Sequence, residues 1–269
     1  MPVKKDGTGK RWVEMEVIVP GTPEQVWQAI ATGPGYTAWF TPATIAERVG
    51  GAIRFDMGGN GESKGEVTAW EPPFRFGYVE PEWAEGAPPL ATEITVIARS
   101  GDRCVVRMVH SLFASTDDWD DQMEGFEGGW PGFFEVLRLY LLHFAGMKAA
   151  VVHTMISVEA PQLEVWKRLA EGFGLAGINA GEAVMASQTP EQLSGVVERV
   201  KQSEKERYIL LRLQQPSLGI ALIGTYGVGD ASNASMAFYL YGDDAQQHAA
   251  ASEPRWQVSF REMFGQTRK

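Results

Sequence analysis

"VPGTPEQVWQAI", residues 19–30, runs the end of a strand straight into an amphipathic helix. Upstream of it Val13, Met15, Val17 and Val19 alternate with Glu14 and Glu16, which is the period of a half-buried strand. Thr22 stands where an N-cap belongs, and Pro23 takes the first helical position, where a missing N–H costs nothing. Gln25 lies three residues after the cap, the spacing of a capping box. Val26, Trp27 and Ile30 supply the buried stripe, and Gly33-Pro34-Gly35 reads as the helix stop. Much later, "VEAPQLEVWKRL", residues 158–169, repeats the phrase, with Pro161 at the helix start and Leu163, Trp166 and Leu169 on one face.

The segments downstream of the two phrases are also alike. After the first come a short helix or turn ending in "WFTP", then strands in "GGAIRFDMGG", "SKGEVTAWEPP", "FRFGYVE", "ATEITVIAR" and "DRCVVRMVHSLF", joined by Gly- and Pro-rich turns. In the last of these Cys104, Val106, Met108, His110 and Leu112 share one face, with Arg103 and Arg107 on the other. The pattern is that of an antiparallel sheet with one covered and one wet face. "GWPGFFEVLRLYLLHFAG" then places Phe133, Leu137, Tyr140, Leu141 and Phe144 at helical spacing, a long helix to cover it. The second series reads "VVHTMISVEAP", a helix, "LSGVVERV", "RYILLRLQQ", "GIALIGTYGVG", "ASMAFYLYG" and a closing helix with Trp256, Phe260, Met263 and Phe264 on one face. Offsets between the series shrink from 139 (Trp27 to Trp166) through 130 (Val67 to Val197) to 126 (Trp130 to Trp256), as expected of a duplicated unit that has lost loop residues.

The order of these motifs resembles the START/Bet v 1-like (SRPBCC) superfamily, in particular its branch homologous to activators of Hsp90 ATPase. The stretches that carry the resemblance are Pro23 to Ile30, Trp39 to Pro42, Gly50 to Phe55, Gly65 to Pro73, His110 to Phe113 and Gly129 to Leu141. The resemblance implies an α+β helix-grip fold, a curved antiparallel sheet wrapped on a long C-terminal helix, here present twice in tandem. Residues 1–148 are expected to form the fuller domain and 149–269 a shortened one, in which "GFGLAGINAGEAV" replaces the "WFTP" segment. The resemblance further implies a cavity between sheet and long helix that takes a hydrophobic small molecule. Relatives include aromatase/cyclase-type enzymes and chaperone-binding proteins.

Bulk composition narrows the function. With 44% hydrophobic and 22% charged residues, the chain has ordinary globular composition and material for a core. Residues 1–149 hold 13 Lys and Arg against 21 Asp and Glu, and the remainder 11 against 13, so a net charge of −10 falls mainly on the first half. Nucleic acid and anionic membranes would be repelled. A lone cysteine, Cys104, excludes an internal disulfide and a cysteine-clustered zinc site. No secretory signal is visible, and the most apolar segment, residues 133–152, is interrupted by Glu135, Arg138, His143 and Lys148. A cytoplasmic protein without membrane attachment is expected.

Few residues offer chemistry. Asp117, Asp118, Asp120, Asp121, Glu124 and Glu127 form an acidic run without calcium-loop spacing, better read as carboxylates near a helix N-terminus. The histidines at 110, 143, 153 and 248 share no metal spacing. Cys104 and His110 lie six residues apart on one strand, about 20 Å, too far for a nucleophile–base pair. Gly58, Gly59 and Gly61 sit between strands, so they make a hairpin turn and not a phosphate cradle. Aromatic residues crowd the first half, and pockets combine such rings with a few polar groups. A cavity would therefore be walled by Trp39, Phe55, Phe76, Tyr78, His110, Phe133, Leu137 and Tyr140. No catalytic residue, metal or cofactor is assigned. Non-catalytic binding of a hydrophobic small molecule is the leading expectation, with a protein-interaction or co-chaperone role and a cyclase- or hydratase-like enzyme as alternatives.

Overall fold

The computed structural model describes residues 3–58, 61–186, 189–203, 206–228 and 231–265, and the chain divides into two compact units, Met1–Gly146 and Met147–Lys269. Unit 1 begins with β1 (Lys4–Lys5), β2 (Lys10–Pro20), α1 (Pro23–Ala31) and α2 (Gly33–Thr37). Then come β3 (Ala43–Ile45), β4 (Ala52–Asp56), β5 (Glu62–Glu71), β6 (Arg75–Glu80), β7 (Leu90–Arg99), β8 (Arg103–Phe113) and α3 (Asp120–His143). Its eight strands form one antiparallel sheet in the order β1-β2-β8-β7-β6-β5-β4-β3. This is the α+β helix-grip architecture.

α1 forms as its sequence dictates. Thr22 Oγ1 accepts from the Gln25 N–H, the Gln25 side chain accepts from the Thr22 N–H, and Val26, Trp27 and Ile30 are buried. Gly33-Pro34-Gly35 does more than stop it: Thr32 ends α1 and its hydroxyl caps α2. α3 starts at Asp120, nine residues before the Gly129 that the sequence suggests. Its first turns are acidic, and Arg11 on β2, nearly buried, holds Asp117 and Asp120 at 2.6 Å each while Lys5 grips the same two carboxylates. That network, not a side-chain cap, fixes the start of α3. On the outer face of the sheet, cross-strand pairs such as Glu14–Arg107 and Arg75–Glu93 keep the surface polar.

Unit 2 comprises β9 (Ala149–Val158), α4 (Gln162–Gly172), β10 (Ala183–Ala186), β11 (Leu193–Gln202), β12 (Glu206–Gln215), β13 (Gly219–Val228), β14 (Ala231–Tyr241) and α5 (Ala245–Met263). Its antiparallel sheet runs β9-β14-β13-β12-β11-β10, which is the order of β2-β8-β7-β6-β5-β4. Counterparts of α2 and β3 do not occur between α4 and β10.

Three details fix the register of the repeat. Val67 bonds through both backbone groups to Gly50 and Gly51, as Val197 does to Gly181 and Glu182. A ladder irregularity comes immediately after in each copy, between Val67 and Ala69 and between Val197 and Arg199. Gly65 and Gly195 each lie where a Cβ would meet a neighbouring carbonyl, 2.3 Å from Val79 O and 2.2 Å from Arg212 O. One expectation needs correction: Leu163 is exposed, and Val165 takes the buried place beside Trp166 and Leu169. The i, i+3 spacing alone leaves both stripes open, and packing chooses the one equivalent to Val26-Trp27-Ile30.

Candidate functional site

Adjacent strands of unit 1 place three polar side chains in one row across the covered face. Tyr78 on β6 lies directly opposite Thr92 on β7, and Thr92 opposite His110 on β8. Val67 on β5 and Val13 on β2 flank them. All five are buried, at 4% exposure or less. Strand parity makes the row inevitable: Leu90, Ile94 and Val96 share the inward face with Thr92, and Cys104, Val106, Met108 and Leu112 share it with His110.

Aromatic rings enclose the row. His110 stacks on Trp130 at 5.6 Å and lies 4.9 Å from Phe126, both on α3. Phe55 and Phe76 approach Tyr78 at 5.6 and 5.5 Å. Tyr36, carried in by α2, lies 5.1 Å from Phe55 and 5.4 Å from Trp39, and the Trp39 Nε1 donates to Ala29 O at 2.9 Å. Phe40 bridges Phe55, Trp130 and Phe133.

Electrostatically the interior favours neutral groups. Burial lowers the His110 imidazole to about 3, so the ring is uncharged at neutral pH. Burial likewise pushes up the phenols of Tyr36 and Tyr78. Glu80, on the same face of β6, is raised by burial towards its protonated form against the opposing hydrogen bond from Ser63. His110 Nδ1 and Thr92 Oγ1 are 2.8 Å apart. If Thr92 donates, Nε2 carries the ring proton and is a donor; if Thr92 accepts, Nε2 is an acceptor. Either way Nε2 has no partner, while the Tyr36 hydroxyl meets that of Tyr78, which in turn meets Thr92. An imidazole nitrogen thus stands unsatisfied in an aromatic interior, at a cost of about 1–3 kcal/mol.

The repeat supplies an internal comparison. In unit 2 the row equivalent to Val67-Tyr78-Thr92-His110-Val13 is Val197-Leu211-Ala221-Phe238-Val152. Every member is buried and apolar. The same sheet position therefore forms a stable core with no polar group at all.

Of the eight residues singled out from sequence, Trp39, Phe55, Phe76, Tyr78 and His110 fall within this ring network. Phe133 is only partly buried and joins through Phe40 and Trp130, while Leu137 is buried on α3. Tyr140 stands near the end of that helix, where its hydroxyl accepts from the Gly146 N–H. Sequence reasoning passed over Tyr36 and Thr92. Thr92 was legible as the one polar residue among Leu90, Ile94 and Val96 on an inward stripe.

The remaining candidates have structural places. Cys104 Sγ donates to Gly21 O. Asp117 and Asp120 are engaged by Arg11 and Lys5; the side chain of Glu127 lies outside the described residues, as does Gly59. Among the described residues no three His, Cys, Asp or Glu side chains gather as metal ligands, and no helix is long and apolar enough to cross a membrane.

Residues 20–141 match the model of a family described as activator of Hsp90 ATPase homolog 1-like protein. No curated protein matches the sequence. Among solved structures, the di-domain ARO/CYC BexL from the BE-7585A biosynthetic pathway is 13% identical, with 96% of this chain and 100% of BexL covered at a TM-score of 0.45. DynU16, a putative protein in the dynemicin biosynthetic locus, is 16% identical, with 95% and 96% covered at 0.42. The protein MLL2253 from Mesorhizobium loti is 24% identical, with 50% of this chain and 98% of its own covered at 0.44.

Proposed function

We propose, for a chain whose residues 20–141 match the activator of Hsp90 ATPase homolog 1-like model, that unit 1 binds an uncharged, largely apolar small molecule between its sheet and α3. The observation that carries this reading is the polar row Tyr78-Thr92-His110, with an unpartnered imidazole nitrogen and Tyr36 against Tyr78, set beside its wholly apolar counterpart in unit 2. A fold that needs only a core has no use for an unpartnered imidazole nitrogen beside two buried phenols. A ligand bearing a carbonyl or hydroxyl would satisfy the imidazole nitrogen, while Trp39, Phe55, Phe76 and Trp130 would pack on its apolar body. A charged ligand is disfavoured, because no opposite charge is available in the row to offset its desolvation.

Native mass spectrometry of gently purified protein, followed by organic extraction, tests the proposal. The expected result is an additional mass that leaves on denaturation and proves to be a neutral, ring-bearing compound. If the protein is bare and no member of a library of neutral aromatic carbonyl and phenol compounds raises its melting temperature, the reading fails.

A further inference from the structure

We propose that unit 2 carries a site of its own, at a different row of its sheet, that takes the carboxylate of an amphipathic organic acid through Arg207 and Thr225. Arg207 on β12 lies directly opposite Thr225 on β13, Thr225 opposite Ala234 on β14, and Ala234 opposite Ile156 on β9. The unbroken register places them on the same face as Ile209, Ile223 and Met236, which belong to the core of the unit. Thr225 is 2% exposed and its hydroxyl has no partner; the Nε of Arg207 is buried and has none either. No carboxylate forms an ion pair with Arg207 among the described residues, and its neighbour Glu206, by strand alternation, belongs to the opposite face.

The equivalent row in unit 1 is Phe74, Val96, Val106 and Val17, all apolar. The two copies have thus placed polar groups at different rows of one architecture. An unpartnered guanidinium Nε–H and an unpartnered hydroxyl on directly opposed residues offer two donors to one acceptor group, the chemistry that recognises an oxyanion. The backbone of Thr225 is tied to the start of α4, its carbonyl accepting from the Gln162 side-chain Nε2 at 3.0 Å. Ile156, Val158 and Val200, partly buried against the core, border the row and would cover an apolar tail. The acceptor is therefore a carboxylate on an aliphatic or aromatic body.

The test is titration of the full chain with decanoate and, in parallel, decanol, monitored through backbone amide NMR signals. To keep unit 1 out of the readout, the titration is repeated in Tyr78→Leu/Thr92→Ala/His110→Phe. Decanoate should shift the amides around Arg207 and Thr225 saturably in both proteins, and decanol should not. Arg207→Gln and Thr225→Val should each weaken decanoate about tenfold or more. Both variants should also be no less stable than the parent without ligand, because each removes an unpartnered group, whereas a structural role predicts a lower melting temperature. Equal shifts from decanoate and decanol, unchanged affinity in Arg207→Gln, or no shifts at all would overturn the proposal without bearing on unit 1.

Discussion

Buried at 2% exposure and lowered to about 3, the His110 ring titrates against its own fold. Above about pH 6.5 both folded and unfolded chains hold it neutral. Below that the unfolded chain takes up a proton and the folded one does not. Its contribution to stability is therefore full above about 6.5 and is lost as pH falls towards about 3. At pH 5 the loss is roughly 2 kcal/mol at most. His110→Phe, which installs the residue that unit 2 carries at this place, should abolish that part of the acid dependence. Urea unfolding at pH 7 and pH 5 would show it; an unchanged difference between the two pH values would mean that His110 is protonated in the folded protein. Trp39 makes a contrasting case. It is fully buried, with its indole N–H bonded to Ala29 O, so Trp39→Ala should cost about 3–5 kcal/mol at any pH.

At the scale of elements, the repeat predicts matched responses. Gly65→Ala and Gly195→Ala both drive a Cβ into a backbone carbonyl that cannot move aside, and each should destabilise by about 1–3 kcal/mol. A marked loss for one and none for the other, read by chemical denaturation, would break the equivalence of β5 and β11. Thr22→Ala should cost about 1 kcal/mol by removing the capping box of α1. α1 was legible because its signals are local: cap, proline and stripe lie within nine residues. The beginning of α3 was not, because Trp119 makes no side-chain cap and the anchor, Arg11, is more than a hundred residues away in sequence. The Leu163 stripe failed for a related reason, since two helical faces fit the spacing and only the sheet beneath decides. The row of the candidate site was half legible. Parity put Tyr78 and His110 inward, but a search for rings passed over Thr92, and the inward swing of Tyr36 depends on the capped helix that Gly33-Pro34-Gly35 begins.

Taken as a whole molecule, the chain is one architecture folded twice with different interiors. Unit 1 devotes a central row to polar side chains, and unit 2 fills that row with Leu211, Ala221 and Phe238. The contrast separates what the fold requires from what it does not, because both copies share strand order, ladder irregularity and crowded glycine. It also sets the measurement that tests the central claim most directly: native mass spectrometry of the wild-type protein beside Tyr78→Leu/Thr92→Ala/His110→Phe, which writes the row of unit 2 into unit 1. The account predicts a variant that folds with a melting temperature at or above that of the wild type and that has lost the additional mass. A folded variant that retains the same mass would contradict it, and so would a variant that cannot fold, since that would make the polar row a requirement of the architecture.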